Sequence, residues 1–410
     1  MQNWSGNYTF TARTREAAGT TEDLRALLRA DGRAKAVGTR HCFNDIADTE
    51  GFQLDMGRMN RVVSLDPAGG TVTVEGGVRY GELGVWLHER GYALGNLASL
   101  PHISVAGGCA TGTHGSGIHN PSLPASVRSM KILTASGRLV EFSADRDREE
   151  MLGATIHLGG LGVVVSLTLS IIPAYSVAQT VYEDLPFAVL EKHFEEVMGA
   201  GYSVSLFTDW RNRTFSEVWV KRTDQEPTPD FFGARAATHD LHPIKGLGAE
   251  HCTPQMGIPG PWHERLPHFR LGFTPSSGKE LQTEYFVPRE DAYAALCALE
   301  PLSGAIAPLL QISEIRCIAA DECWMSPCYR RDSAAIHFTW APDEVEVRRL
   351  LPEIERRLRI FGARPHWGKI FTMEPAGLYP RLQDFRELLR RYDPGGKFRN
   401  AYLDRHIFHG

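Results

Sequence analysis

Gly107-Gly108-Cys109-Ala110-Thr111-Gly112-Thr113-His114-Gly115-Ser116-Gly117 is a run almost without side-chain bulk. Residues this small let the backbone come close to a ligand, and successive N–H groups in such turns form concavities suited to a diphosphate. The run therefore predicts a nucleotide cofactor, with a glycine-rich turn system between strands as the alternative. It is not a Rossmann fingerprint, because no Gly-x-Gly-x-x-Gly follows a strand and opens a helix with an acid about 20 residues further on. The lysine of a phosphate-binding P-loop is missing too.

Outward from this run, Thr20-Thr21-Glu22-Asp23 followed by Leu24, Leu27 and Leu28 predicts a capped first helix. Ala36-Val37-Gly38 reads as a buried strand giving way to a tight turn, Gly38-Thr39-Arg40-His41-Cys42-Phe43-Asn44-Asp45, with an imidazole at its centre. A lone histidine in that setting is ordinarily a hydrogen-bonded turn residue. Thr71 to Glu75 alternates as a half-buried strand, and Tyr80 to Arg90 places Leu83, Trp86 and Leu87 on one helical face before Gly91. Lys131–Thr134 and Leu139–Phe142 form a hairpin around Ser136-Gly137, and Val163 to Ile172 is a long β-branched strand. These pieces predict an α+β body ending near Pro173. Beyond it, alternating strands such as Ser216–Lys221 and Thr283–Val287 are separated by a Pro/Gly/His-rich stretch from Glu226 to Pro267, the texture of a second domain with extended loops. Helical patterns over Asp343–Leu358 and Tyr379–Tyr392 close the chain before Asp393-Pro394-Gly395-Gly396.

Composition narrows the function. A chain of 410 residues exceeds one ordinary core, so burial of a bulky cofactor between two parts is feasible. With 23% charged residues and a net charge of -5 there is no broad electropositive face for nucleic acid or anionic lipid, and a small neutral substrate fits better. The N-terminal residues MQNWSGNYTF carry no secretory pattern and the Val163–Ile172 run is too short to span a bilayer, so the expectation is a cytoplasmic protein without a membrane partner. Seven cysteines without a Cys-x-x-Cys pair read as reduced thiols, and Cys317, Cys323 and Cys328 fit no tetrahedral metal template, so no metal is expected.

The order Gly-Thr-Arg-His-Cys-Phe-Asn at 38–44, the segment Ser99-Leu-Pro-His-Ile-Ser-Val-Ala running into the small-residue run, His366-Trp-Gly-Lys369, and Asp393-Pro before Phe398 and Asn400 resembles the vanillyl-alcohol-oxidase type of FAD-linked oxidases, more narrowly the alditol (xylitol) oxidases. The likeness spans nearly the whole chain, including Trp4-Ser-Gly-Asn, Ser205-Leu-Phe-Thr-Asp-Trp210 and Gly260-Pro-Trp-His-Glu-Arg-Leu-Pro-His268. It implies a two-part FAD-binding domain, residues 1–173 with a returning segment 376–410, and a substrate or cap domain, 174–375, built on a large antiparallel sheet. It further implies FAD bound covalently through its 8α-methyl carbon to a ring nitrogen of His41. The diphosphate would rest on Ser104 and Gly107-Gly108-Cys109-Ala110, with Gly38, Thr39, Arg40, Cys42, Ser99, Gly112, His114, Val163, His366 and Asn400 completing the cofactor set. Some relatives attach the flavin a second time through a cysteine; the matching place here is His102, so a single bond is expected. Cys42 replaces the serine common after the linking histidine, and a thiol is a weaker donor than a hydroxyl. Arg40 replaces a small residue.

On the substrate side, Glu314 and Arg316 point to one face of a strand, and His337 and Thr339 repeat that spacing on another. An exposed ion pair is the ordinary reading of such a face. The resemblance implies instead that Ser99, Glu314, Arg316, Thr339 and Lys369 bind a polyol, whose hydroxyls need both donors and acceptors, and that Lys369, Arg316 and His337 carry the catalysis. The implied reaction oxidises a terminal hydroxyl of an alditol to the aldose by hydride transfer to flavin, with dioxygen reduced to hydrogen peroxide. The alternatives are an aldonolactone oxidase or dehydrogenase of the same family, since a methyl at Ala98 could restrict dioxygen, and a catalytically inactive flavin- or sugar-binding protein. A monomer is expected.

Overall fold

The computed structural model describes residues 1–223, 230–273 and 279–409. Its N-terminal part is built on two small sheets. Thr14–Ala17 and Ala34–Val37 both run parallel to the central Phe52–Asp55. Beside them lies a five-stranded antiparallel sheet in the order Val62–Asp66, Thr71–Glu75, Val163–Ser170, Val127–Leu133 and Leu139–Ser143. The helix Thr21–Leu28 forms where the sequence predicts it: Thr20 accepts from the Asp23 backbone N–H while the Asp23 carboxylate receives the Thr20 N–H. Its buried Leu24 and Leu28 pack with Leu54, Val163, Val165 and Phe398 into a core shared by the two sheets.

The small-residue run differs from expectation in one respect. Val105–Ala110 is a short helix rather than a pure turn system, and it ends before Gly112 at φ +72°. Two adjacent glycines are poor helix formers, but here the lack of a Cβ permits packing: one added to Gly108 would lie 3.2 Å from the Tyr80 ring. The helix over Tyr80–His88 stops two residues earlier than predicted, and Trp86 lies under the Arg90 guanidinium, 3.9 Å from the ring centroid.

Residues 176–365 supply a nine-stranded antiparallel sheet whose centre runs Thr214–Arg222, Ser203–Thr208, Leu310–Ile318, Ser333–Trp340, Leu281–Pro288. Period-2 alternation divides its two faces. Ile336, Phe338 and Trp340 join Ile315, Leu299, Val347 and Leu351 in the main core, under the helices Ala292–Leu299 and Glu344–Leu358. His337 and Thr339, with Glu314 and Arg316 from the neighbouring strand, face the other way, into a cavity. The exposed ion pair is thereby excluded: all four residues are buried. The Pro/Gly/His-rich stretch contributes only short pieces, Arg235–Ala236 and Gly260–Pro261, to the sheet edge, and its residues 226–229 lie outside the described residues.

The C-terminal segment returns to the N-terminal strands. Helix Leu382–Tyr392 begins three residues later than the periodicity suggests, after the turn at Tyr379, and Asn400 donates to the carbonyls of Asp45, Ile46 and Asp48. Among the described residues, no helix is long and apolar enough to cross a membrane. All seven cysteines are free thiols.

Trp340 is fully buried, stacked on Phe338 at 4.9 Å, with its indole N–H on Thr283 Oγ1 at 3.0 Å. Trp340→Ala is expected to destabilise the fold by about 3–5 kcal/mol, measured as a lowered denaturant midpoint.

Candidate active site

A cavity of about 620 Å³ separates the small-residue layer from the polar face of the large sheet. That size lies in the range of enclosed ligand sites. One wall is mostly backbone. The strand Ala34–Val37 runs into the turn at Gly38, where a Cβ would stand 2.3 Å from Ser104 Oγ, and a Cβ on Gly107 would stand 2.7 Å from the same oxygen. The absence of a Cβ at both positions lets the turn and the short helix meet closely around Ser104. Arg40 adopts φ +60°, a conformation costly for a residue with a side chain. Its guanidinium donates to the Gln2 carbonyl, and the Arg40 carbonyl receives the Trp4 N–H, so the N-terminal segment braces the turn.

His41 follows directly. Its ring packs against Trp4 at 4.5 Å and His102 at 5.1 Å, with Nδ1 3.4 Å from His102 Nε2. Burial, then His102 and Lys369, hold its pKa well below the ordinary imidazole value, so it is neutral at physiological pH. The Cys42 thiol, pushed up to about 12 by burial, stays protonated. The turn is tied to the far side of the cavity by Asn44, whose amide donates to the carbonyls of Trp367 and Lys369, both at 2.8 Å.

The opposite wall is an ion-pair network centred on Glu284, in the strand Leu281–Pro288. Its carboxylate receives Lys369 Nζ at 2.7 Å and Arg316 Nη2 at 2.8 Å and lies 3.2 Å from His114 Nε2. Burial would raise the pKa of this carboxyl, yet Lys369, His114 and Arg316 hold it well below the usual range. Burial lowers the pKa of Lys369, with Glu284 pulling it back up. Arg316 also donates to Ser99 Oγ at 3.1 Å and lies 3.5 Å from Glu314 Oε1, which receives His268 Nε2 at 2.7 Å. Burial opposes ionisation of Glu314 as well, but Arg316 and His268 outweigh it and keep its pKa far below normal. His337, between these groups, has neither ring nitrogen hydrogen-bonded among the described residues, and burial followed by Lys369 keeps it neutral.

Of the residues singled out in the sequence, Gly38, Thr39, Arg40, His41, Cys42, Ser99, Ser104, Gly107, Gly108, Ala110, His114, Glu314, Arg316, His337, Thr339, His366 and Lys369 all line this one cavity. Cys109, Gly112, Val163 and Asn400 do not. Cys109 turns inward to Tyr80, with Sγ 3.5 Å from its hydroxyl. Gly112 ends the short helix and packs against Pro327. Strand alternation sends Val163 into the core while its neighbours Gly162 and Val164 reach the cavity. Asn400 spends its amide on three backbone carbonyls. Sequence reading missed Glu284 and His268; a lone carboxylate inside the apolar strand Thr283–Val287 was the available signal for the first.

His114, Glu284 and His366 lie close enough together to suggest a metal site. Two cations already occupy its one carboxylate, and the His366 Nδ1 accepts the Gly368 N–H at 3.0 Å, so the cluster works as an ion-pair core.

Residues 16–143 match the FAD binding domain family and residues 276–406 match the D-arabinono-1,4-lactone oxidase family. Together they define a vanillyl-alcohol-oxidase-type, FAD-dependent oxidoreductase. An alditol oxidase from Streptomyces sp. is 49% identical over 98% of both chains. An L-gulonolactone oxidase from Bos taurus is 28% identical, covering 99% of this chain and 97% of that one. A cholesterol oxidase structure from B. sterolicum superposes with a TM-score of 0.79 at 14% identity, over 99% and 96% of the two chains, a likeness of fold alone. The chain belongs to the alditol oxidase family. The backbone cradle around Ser104 and the neutral imidazole beside it fit FAD.

Glu284→Ala leaves Lys369 and Arg316 buried without their carboxylate. A loss of about 3–5 kcal/mol is expected, read as a lowered thermal unfolding midpoint, whereas an exposed pair would leave the midpoint nearly unmoved.

Proposed function

We propose that the protein oxidises the terminal hydroxyl of a xylitol- or sorbitol-like alditol to the aldose, with dioxygen as electron acceptor and hydrogen peroxide as the second product. The observation that carries this reading is a cavity wall of alternating acceptors and donors, Glu314, Arg316, Thr339, Lys369 and Ser99, facing a backbone cradle across about 620 Å³. A row of hydroxyls, each both donor and acceptor, matches such a wall. In the division we propose, residues 1–173 and 376–410 hold the cofactor and 174–375 present the substrate. The enzyme is taken as a cytoplasmic monomer.

FAD, when bound, supplies the hydride acceptor and the two-electron route to dioxygen. The turn from Gly38 to Cys42, with Ser104, Gly107, Gly108 and Ala110, would hold it, and His41 would carry it on a single covalent bond; a neutral ring nitrogen has the lone pair such a bond requires. His366 and His114 line the same space.

This chain's own groups divide the proton work. Lys369, paired with Glu284 at 2.7 Å, serves as a fixed cation, and Arg316 adds a second, so a developing alkoxide oxygen is stabilised electrostatically. His337 is neutral and its ring nitrogens are unclaimed among the described residues, so it can accept a hydrogen bond from the hydroxyl that loses its proton. Ser99, held by Arg316, and Thr339 orient the remaining hydroxyls.

An aldonolactone substrate is the competing reading. The lactone-acting relatives, such as the L-gulono-1,4-lactone dehydrogenase of Mycobacterium tuberculosis at 28% identity, are more distant than the alditol oxidase at 49%. Peroxide release measured with xylitol, sorbitol and an aldonolactone is expected with the two alditols; release with the lactone alone would overturn the assignment. Lys369→Ala should lower turnover by roughly 100-fold or more while the protein stays yellow. His41→Ala should remove the added mass of FAD from the denatured chain, and pigment released in full from the unsubstituted protein by acid precipitation would refute the covalent bond.

A further inference from the structure

Behind Glu314, away from the cavity, lies another buried lysine. Lys221, in the strand Thr214–Arg222, is 1% exposed and has no carboxylate partner among the described residues. Its Nζ instead meets three acceptors: the carbonyl of Leu266, the carbonyl of Pro267 at 3.1 Å and His268 Nδ1 at 3.2 Å. Burial lowers the pKa of Lys221 to about 7, with Glu314 pulling it back up, and in either protonation state its N–H bonds are available to these acceptors. An ionised Glu314 can only accept, so the proton of the neutral ring sits on Nε2 and is donated to Glu314 Oε1 at 2.7 Å, leaving Nδ1 to accept from Lys221.

The imidazole has little freedom to do otherwise. Its ring stands edge-on to Trp219 at 5.1 Å and Phe207 at 5.6 Å, and its backbone N–H is bound to the Ser99 carbonyl at 3.1 Å. Burial and Lys221 bring its pKa down to about 4, so the ring is neutral in a single tautomer. At the end of the line, both neighbours of Glu314, His268 and Arg316, approach Oε1; no described residue donates to Oε2, although the side chain lines the cavity.

We propose that Lys221 is a positioning residue for polyol recognition: through the fixed tautomer of His268 it holds Glu314 as an oriented carboxylate whose Oε2 accepts a hydrogen bond from a substrate hydroxyl. Without the Lys221 N–H donor, the imidazole is free to carry its proton on Nδ1 and donate to the Leu266 or Pro267 carbonyl. Its Nε2 lone pair would then face the Glu314 carboxylate, which either turns away or takes up a proton, and the acceptor is lost. Lys221 touches neither the substrate cavity's charged centre at Glu284 nor Lys369, so it governs binding of the hydroxyl rather than the proton transfer.

The inference rests on the reading that Glu314 faces the polyol, and the experiment separates the two. Steady-state peroxide formation from xylitol is measured for the holoenzyme and for Glu314→Gln, Lys221→Met, His268→Phe and the double variant Lys221→Met/Glu314→Gln. Loss of one hydrogen bond to a charged acceptor predicts a roughly 10- to 100-fold rise in KM for each single variant, with a much smaller change in kcat. The double variant should show no further rise over Glu314→Gln, because the relay acts only through that carboxylate. His268→Phe keeps an aromatic ring between Trp219 and Phe207 and tests the relay should Lys221→Met fail to fold. Multiplied KM effects in the double variant, or a KM raised in Glu314→Gln but unchanged in both relay variants, would overturn the role of Lys221 alone. An unchanged KM in Glu314→Gln would overturn the polyol assignment of Glu314 and the relay with it.

Discussion

The arrangement of the site depends on one buried carboxylate. Glu284 has no exposed side-chain surface and is approached by two cations and an imidazole, each from a different part of the chain: Arg316 from a strand two places away in the large sheet, Lys369 from the segment after it, His114 from the small-residue run. Removing any ion from water is expensive, and mutual attraction repays that cost only where the geometry is good and the remaining hydrogen bonds are made. The geometry is good here, with contacts of 2.7 and 2.8 Å, although Arg316 Nε has no hydrogen-bond partner among the described residues. The negative charge in turn permits two positive charges to stand beside a cavity meant for a neutral substrate, and it fixes the direction in which each points.

The fold achieves this by giving the large sheet two unlike faces. Ile336, Phe338 and Trp340 bind the sheet to its helices, while the residues between them carry polar groups toward the cofactor layer. Because side chains alternate strictly along a strand, a polar group on the cavity face does not disturb the apolar packing behind it. Chemistry and stability are thus separated by half the strand period, and substrate preference can change without rebuilding the core.

The local signals in the sequence were strong where the residue type has one physical use. Thr20 and Asp23 are placed as a capping box, and the alternating pattern that put Glu314, Arg316, His337 and Thr339 on shared faces holds in the structure. What periodicity could not give was which face is buried, since an exposed ion pair and a polar cavity wall have the same spacing. Glu284 and His268 stayed hidden for another reason: their partners lie far away in the chain, and a carboxylate in an apolar strand carries no local mark of its counter-ions. The short helix over Val105–Ala110 was illegible because its glycines disfavour helix, while the close approach to Tyr80 that Gly108 permits exists only in the folded chain.

The turn bearing His41 is tied to residues made long after it. Asn44 holds the carbonyls of Trp367 and Lys369, and Asn400 holds those of Asp45, Ile46 and Asp48. On a ribosome Trp367 emerges 323 residues after Asn44, and Asn400 emerges 355 residues after Asp45. The loop therefore cannot reach its final shape until these distant partners have been made, and any chemistry that needs that shape must wait for them.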